Sequence, residues 1–167
     1  SPELFAPVAR GVELCYRTHG DPGDEPMLLL MGLASPLIWW DAAFCSMLAQ
    51  HGYFVITPDN RDVGRSTKVS GRVTSRMLVR AYAGLRVHTA YSMDDMATDS
   101  FALLDHLGIE RAHVVGVSMG GMIAQTMAIQ DPSRVRSLTS IMSTTGRRSV
   151  GWQHPRLLPA LLRPLRP

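Results

Sequence analysis

One serine in the chain sits between glycines two residues before and two after it: Gly116-Val117-Ser118-Met119-Gly120. G-x-S-x-G alone is a cheap pattern, and its setting makes it chemical. The apolar run 112–117 enters it, and a helix-like pattern over 119–130 leaves it. That is the strand, turn and helix that a nucleophile elbow requires. Such a turn forces the serine into a strained backbone conformation. Gly116 and Gly120 remove the Cβ atoms that would collide within it. The first turn of the following helix aims unpaired N–H groups and a positive dipole end at the serine. Those are the donors a tetrahedral oxyanion needs, and the N–H of Met119 is one of them. The rival reading is a glycine-rich turn that cradles a phosphate. GVSMGG has neither the Walker lysine nor G-x-G-x-x-G spacing, which disfavours it.

The elements around this turn follow from periodicity. Val12–Tyr16 reads as a strand, and MLLLMG at 27–32 as a short, wholly buried one. Pro36 to Gln50 reads as a helix with Leu37, Trp40, Phe44, Met47 and Leu48 on one face, ended by Gly52. Residues 53–59 form a β-branched and aromatic strand. Residues 62–91 read as a long loop with a short helix near 74–84. Ser92 and Asp95 make an S-x-x-D capping pair for a helix with Met96, Leu103, Leu104 and Leu107 on one stripe and Gly108 past its end. Strand 112–117 and helix 119–130 follow, the helix with Met122, Ile123 and Met127 inward and Asp131-Pro132 as its stop. Residues 135–142 form another strand. This alternation predicts an α/β fold: a mainly parallel sheet with helices on both faces.

Three stretches, in chain order, resemble the α/β-hydrolase superfamily from about residue 8 to about residue 145. LLLMGLAS at 28–35 looks like its oxyanion loop, with Met31 where the family often has histidine. The resemblance implies that Gly32 brings the backbone close to the substrate and that the N–H of Leu33 is the second oxyanion donor. Asp59-Asn60-Arg61-Asp62-Val63-Gly64-Arg65-Ser66 is similar to a D-x-R-G-x-G-x-S loop, with Asp62 replacing glycine. That loop shapes the wall of the site and carries no catalytic role. GVSMGG is the third stretch. The wording is closest to the esterase, lipase and antibiotic methylesterase branch; haloperoxidases and C–C hydrolases share it. Trp39 and Trp40 are candidates to line an acyl pocket, with at least one of them expected in the core.

A serine hydroxyl needs a base to become a nucleophile. The family's order is Ser, then acid, then His. After Ser118 the chain has only Asp131 and His154. Asp131 lies at the far end of the elbow helix and reads as a helix-end residue. Nothing in the sequence orients His154. His113 starts the strand whose other end carries Ser118, about 16 Å away at strand rise. His19, His51, His88 and His106 read as turn, helix-end, loop and helix-flank residues. The base and acid of the triad are therefore expected outside this chain. By this reading 1–145 is the N-terminal portion of a hydrolase domain lacking its C-terminal strands. Residues 146–167 begin a lid or form a Pro/Arg-rich tail. The chain alone is expected to be inactive or weakly active. Strand 135–142 is expected as an open edge, with the Met122/Ile123/Met127 face losing part of its cover. The missing portion, a second copy or a covering chain would complete it.

Composition limits the rest. The 167 residues suit one domain, 46% hydrophobic and 19% charged. The net charge of +3 comes with scattered arginines and no nucleic-acid motif. Cys15 and Cys45 lack CxxC spacing and read as free thiols in a reducing compartment. No signal peptide is visible, and the longest apolar run, 27–34, is too short to span a bilayer. The expected location is cytoplasmic, with no metal and no cofactor. Two functions compete. One is a serine hydrolase acting on small-molecule carboxylic esters. The other is an inactive hydrolase-like module that associates through its sheet edge.

Overall fold

The computed structural model describes residues 1–69, 80, 89–147 and 156. Its elements are β1 (Leu4–Ala9), β2 (Val12–His19), β3 (Glu25–Leu30), α1 (Ala42–Gln50), β4 (Tyr53–Pro58), α2 (Met93–His106), β5 (Ala112–Val117), α3 (Met119–Gln130) and β6 (Val135–Ile141). Short 3-10 turns occupy Leu37–Trp39 and Pro132–Arg134. The strands form one sheet in the order β1-β2-β4-β3-β5-β6. The β1/β2 and β2/β4 pairs are antiparallel; β4/β3, β3/β5 and β5/β6 are parallel. Mainly parallel pairing requires crossovers, and these place helices on both faces.

The two faces are unequal. On one, α2 and α3 bury Leu28, Leu30, Ile56, Val114, Leu103, Leu104, Ile123 and Met127 completely. On the other, α1 covers a smaller cluster of Leu29, Cys45 and Val55, with Trp40, Leu48 and Val115 partly buried against it. Ile123 and Met127 are each 0% exposed and Met122 is half-buried, so for Ile123 and Met127 the expected loss of cover is corrected: α2 and the sheet close over them. Exposure falls instead on β6, an edge strand on which Leu138 and Ile141 are about two-fifths exposed.

Two further expectations fail locally. The helix expected over 36–50 is broken at Trp40, whose backbone is extended, and restarts with Asp41 as N-cap accepting from Phe44 N–H. The restart rotates the inward face onto Cys45 and leaves Phe44 and Met47 exposed. β1 was not anticipated. It is an edge strand, the place where Pro7 is tolerated, and it turns into β2 through Gly11 at φ +74°. The capping box at Ser92 forms as expected, with Ser92 and Asp95 bonding reciprocally. Strand and helix boundaries at 112–117 and 119–130 match the sequence reading. The helix expected near 74–84 and most of the 62–91 loop lie outside the described residues, as do His88 and His154.

Candidate active site

Parallel register sets the site. Leu30 of β3 pairs with Gly116 of β5, so the chain leaving β3 and the chain leaving β5 emerge side by side at the carboxyl edge. Among the described residues, four non-glycine residues have positive φ: Ala34 (55°), Asp62 (68°), Ser118 (54°) and Met142 (48°). One follows each of β3, β4, β5 and β6. Strain of this kind costs on the order of 1–3 kcal/mol per residue and persists where the surroundings over-determine it. In open α/β sheets that edge is also where ligands bind.

Ser118 occupies one of these bends, at φ 54° and ψ −117°, as the N-cap of α3 with no side-chain capping bond. Its N–H donates to Ile141 O at 2.9 Å, and its carbonyl accepts from Gly121 N–H at 3.0 Å and from Ser143 Oγ at 2.7 Å. The backbone is thus pinned while the side chain stays exposed. A Cβ on Gly116 would fall on Gly120 O, and one on Gly120 would fall on Leu30 O, both well inside the 3.0 Å that real Cβ atoms keep. Glycine at both positions is therefore a packing requirement of the elbow. Gly32 lies against the serine: a Cβ there would be 3.3 Å from Ser118 Cβ and 3.7 Å from Ser118 Oγ. Leu33 follows it, 75% exposed. Among the described residues, the N–H groups of Leu33 and Met119 have no protein acceptor. The arrangement can present an exposed hydroxyl with backbone donors on two sides.

The loop after β4, singled out in the sequence, is tied down by bonds that the sequence did not reveal, one of them to Asp99. Asp59 accepts from Leu37 N–H at 2.6 Å and from Arg65 N–H at 2.8 Å, and Gly64 leaves the room its carboxylate fills. Asn60 Nδ2 donates to Met31 O at 3.1 Å, linking this loop to the loop after β3. Arg61 makes two 2.6 Å bonds to Asp99 of α2, a buried pair. Asp62 accepts from Val69 N–H at 2.6 Å. Burial, then the bond to Asp62, pushes the Tyr91 phenol up to about 12. The available signal for Asp99 was an acid on the apolar stripe of a helix, two residues after the buried Ala97.

The remaining candidates lie elsewhere. Trp39 is 66% exposed just beyond the loop after β3. Trp40 stacks on Phe44 at 5.9 Å and joins the α1 cluster, in line with the expectation that one tryptophan packs inward. His113 Nδ1 meets Ser137 Oγ at 2.7 Å, and its Nε2 lies 3.5 Å from Glu25, at the opposite end of β5. His51 bonds Met47 O, and His106 packs edge-on against Tyr16. Asp131 accepts from Ser133 in its own turn, which holds its carboxyl below the usual carboxylate range. None of these groups bonds Ser118. Cys15 and Cys45 are free and buried, and burial pushes the Cys15 thiol up to about 11. Among the described residues no cluster of metal-ligating side chains exists, and no helix is long and apolar enough to cross a membrane.

Residues 25–165 match the family model for the alpha/beta hydrolase fold. The chain is 37% identical over 123 residues to rhodomycin D methylesterase DauP of Streptomyces sp. (strain C5), covering 74% of this chain and 36% of that protein. It is 32% identical over 144 residues to a putative carbamate hydrolase RutD of Caulobacter segnis, covering 85% and 44% respectively. The chain thus spans less than half the length of these relatives. Superposition on a hydrolase from Pseudomonas aeruginosa PA01 gives a TM-score of 0.71 at 24% identity, over 98% of this chain and 54% of that one. By the family model that matches residues 25–165, the chain belongs to the α/β-hydrolase fold family.

Proposed function

We propose that the protein is a serine hydrolase acting on carboxylic esters of small molecules. Ser118 attacks the acyl carbon, and the N–H groups of Leu33 and Met119 hold the oxyanion that forms. Gly32 lets that backbone approach, and Gly116 and Gly120 permit the bend. The observation that carries this reading is the strained, pinned and exposed Ser118, with no capping bond to occupy its hydroxyl. Relatives named as a methylesterase and a carbamate hydrolase support attack at an acyl carbon. In this proposal the base and acid lie outside residues 1–167, and those residues alone turn over slowly or not at all; a donor pair without a base gives only residual acceleration. In this proposal 1–145 is the N-terminal portion of the catalytic domain, and 146–167 is the start of a lid or a tail. The buried free thiols fit a cytoplasmic location. The test is turnover of a panel of short acyl esters by the protein extended past residue 167. Ester hydrolysis that Ser118→Ala lacks is the expected result; no turnover of any ester contradicts it.

A second reading rests on β6, whose Leu138 and Ile141 are exposed at the sheet edge, with exposed Met142 just after it. It makes the chain an inactive module that self-associates or is covered by another chain. A concentration-independent monomer in sedimentation removes the self-association.

A further inference from the structure

GVSMGG contains a glycine that the elbow pattern does not use. Gly116 and Gly120 are the glycines of G-x-S-x-G; Gly121 is one further on, within α3. A Cβ on Gly121 would lie 2.6 Å from Ser143 Cβ, 2.7 Å from Ser143 Oγ and 2.8 Å from Ser140 Oγ, all closer than real Cβ atoms come. The missing side chain therefore makes room for two hydroxyls from the end of β6. Ser143 uses that room: its Oγ–H donates to Ser118 O at 2.7 Å. Two residues earlier, Ile141 O accepts from Ser118 N–H at 2.9 Å. The N–H and the carbonyl of Ser118 are thus both held from one bend, on either side of Met142. Met142 has φ 48° and is 82% exposed, so packing of its own side chain does not account for the strain there. Gln125 Nε2 ties the bend to α3, 3.3 Å from both Ser140 Oγ and Thr144 O.

We propose that Ser143 is a positioning residue for ester hydrolysis and acts through the peptide between Ser118 and Met119. That peptide is planar and trans. Its carbonyl and its N–H point in opposite directions, so a group that fixes Ser118 O also fixes where Met119 N–H points. The Ser143 hydroxyl holds the carbonyl and thereby aims Met119 N–H at the oxyanion. The same bond polarises the peptide and strengthens that N–H as a donor. The other donors to Ser118 O, Gly121 N–H at 3.0 Å and Met122 N–H at 3.4 Å, belong to α3 itself; Ser143 anchors the peptide to the sheet. An oxyanion donor acts in the transition state rather than on bound substrate, so the loss of Ser143 falls on kcat and spares KM. The inference rests on the reading of Ser118 as the nucleophile.

The experiment compares wild type, Ser143→Ala and Gly121→Ala in the protein extended past residue 167. Active sites are counted with a fluorophosphonate, and rates are taken per counted site. In Ser143→Ala, kcat for a short acyl ester falls about tenfold while KM stays within about twofold. Inhibition by a trifluoromethyl ketone, whose adduct on Ser118 carries the oxyanion, weakens by about the same tenfold factor. Gly121→Ala, whose methyl pushes Ser143 off Ser118 O, gives the same pattern. Full kcat in Ser143→Ala overturns the inference, as does a loss confined to KM or to the number of countable sites, which is what a merely structural role gives. Full kcat in Gly121→Ala also overturns it, and that result is read even where Ser143→Ala does not fold. A wild-type protein with no ester turnover and no adduct on Ser118 removes the serine-hydrolase reading and this inference with it. Wild-type turnover matched by Ser143→Ala removes this inference alone.

Discussion

Each end of β5 has a serine beside it, set in a different backbone. At the carboxyl end, Ser118 has the strained backbone and neighbouring N–H groups, and none of the described histidines bonds it. At the amino end, His113 bonds Ser137 and approaches Glu25, a Ser–His–acid row. At that row Ser137 lies within β6 without a positive φ, beside a register irregularity of the β5/β6 pair, and Arg136 Nε also claims Glu25 at 2.8 Å. Residue types brought together do not make a nucleophile. The backbone that holds charge in the transition state is the scarcer part, since it needs glycines at fixed offsets and a helix start behind them.

The largest effect separates the two serines. Ser118→Ala lowers ester turnover by at least about 10³-fold, whereas Ser137→Ala leaves kcat unchanged; equal losses at both ends would erase the distinction. Next is the support of the carboxyl end. Asp99→Ala leaves Arg61 buried without its partner and costs about 3–5 kcal/mol in urea unfolding. Asp99→Asn, which keeps the shape, recovers part of that loss.

Smaller again is the elbow's own packing. Gly120→Ala drives a methyl into Leu30 O and costs about 1–3 kcal/mol, with turnover falling further than stability because Ser118 is displaced. The smallest effect belongs to the amino end. Bonds from Ser133 hold the Asp131 carboxyl below its ordinary value. Its contribution to stability is therefore present above the usual carboxylate pKa and is lost as pH falls through its own lower value. Asp131→Asn flattens that part of the acid-unfolding curve and leaves ester turnover at neutral pH untouched.

The parallel half of the sheet and the elbow were legible because both are written in local signals. β5 and α3 were placed to the residue, since an apolar run, a glycine pair and a helix pattern meet at Ser118. β1 was missed because an edge strand carries weak alternation and Pro7 argues against it. The helix at 36–50 was drawn too long because periodicity does not register a single extended residue at Trp40. The Asp59 and Asp99 anchors were hidden because their partners lie 22 and 38 residues away. No local pattern records such pairings. The cover over α3 was misjudged for the same reason: α2 supplies it from a distant part of the chain.

The measurement that bears most directly on Ser118 is mass-spectrometric mapping of a fluorophosphonate adduct on the protein, with and without the residues that follow 167. The account predicts a single adduct on the Ser118 peptide, faster to form when those residues are present, and absent in Ser118→Ala. An adduct on Ser137, or none on any serine with the longer protein, would contradict it.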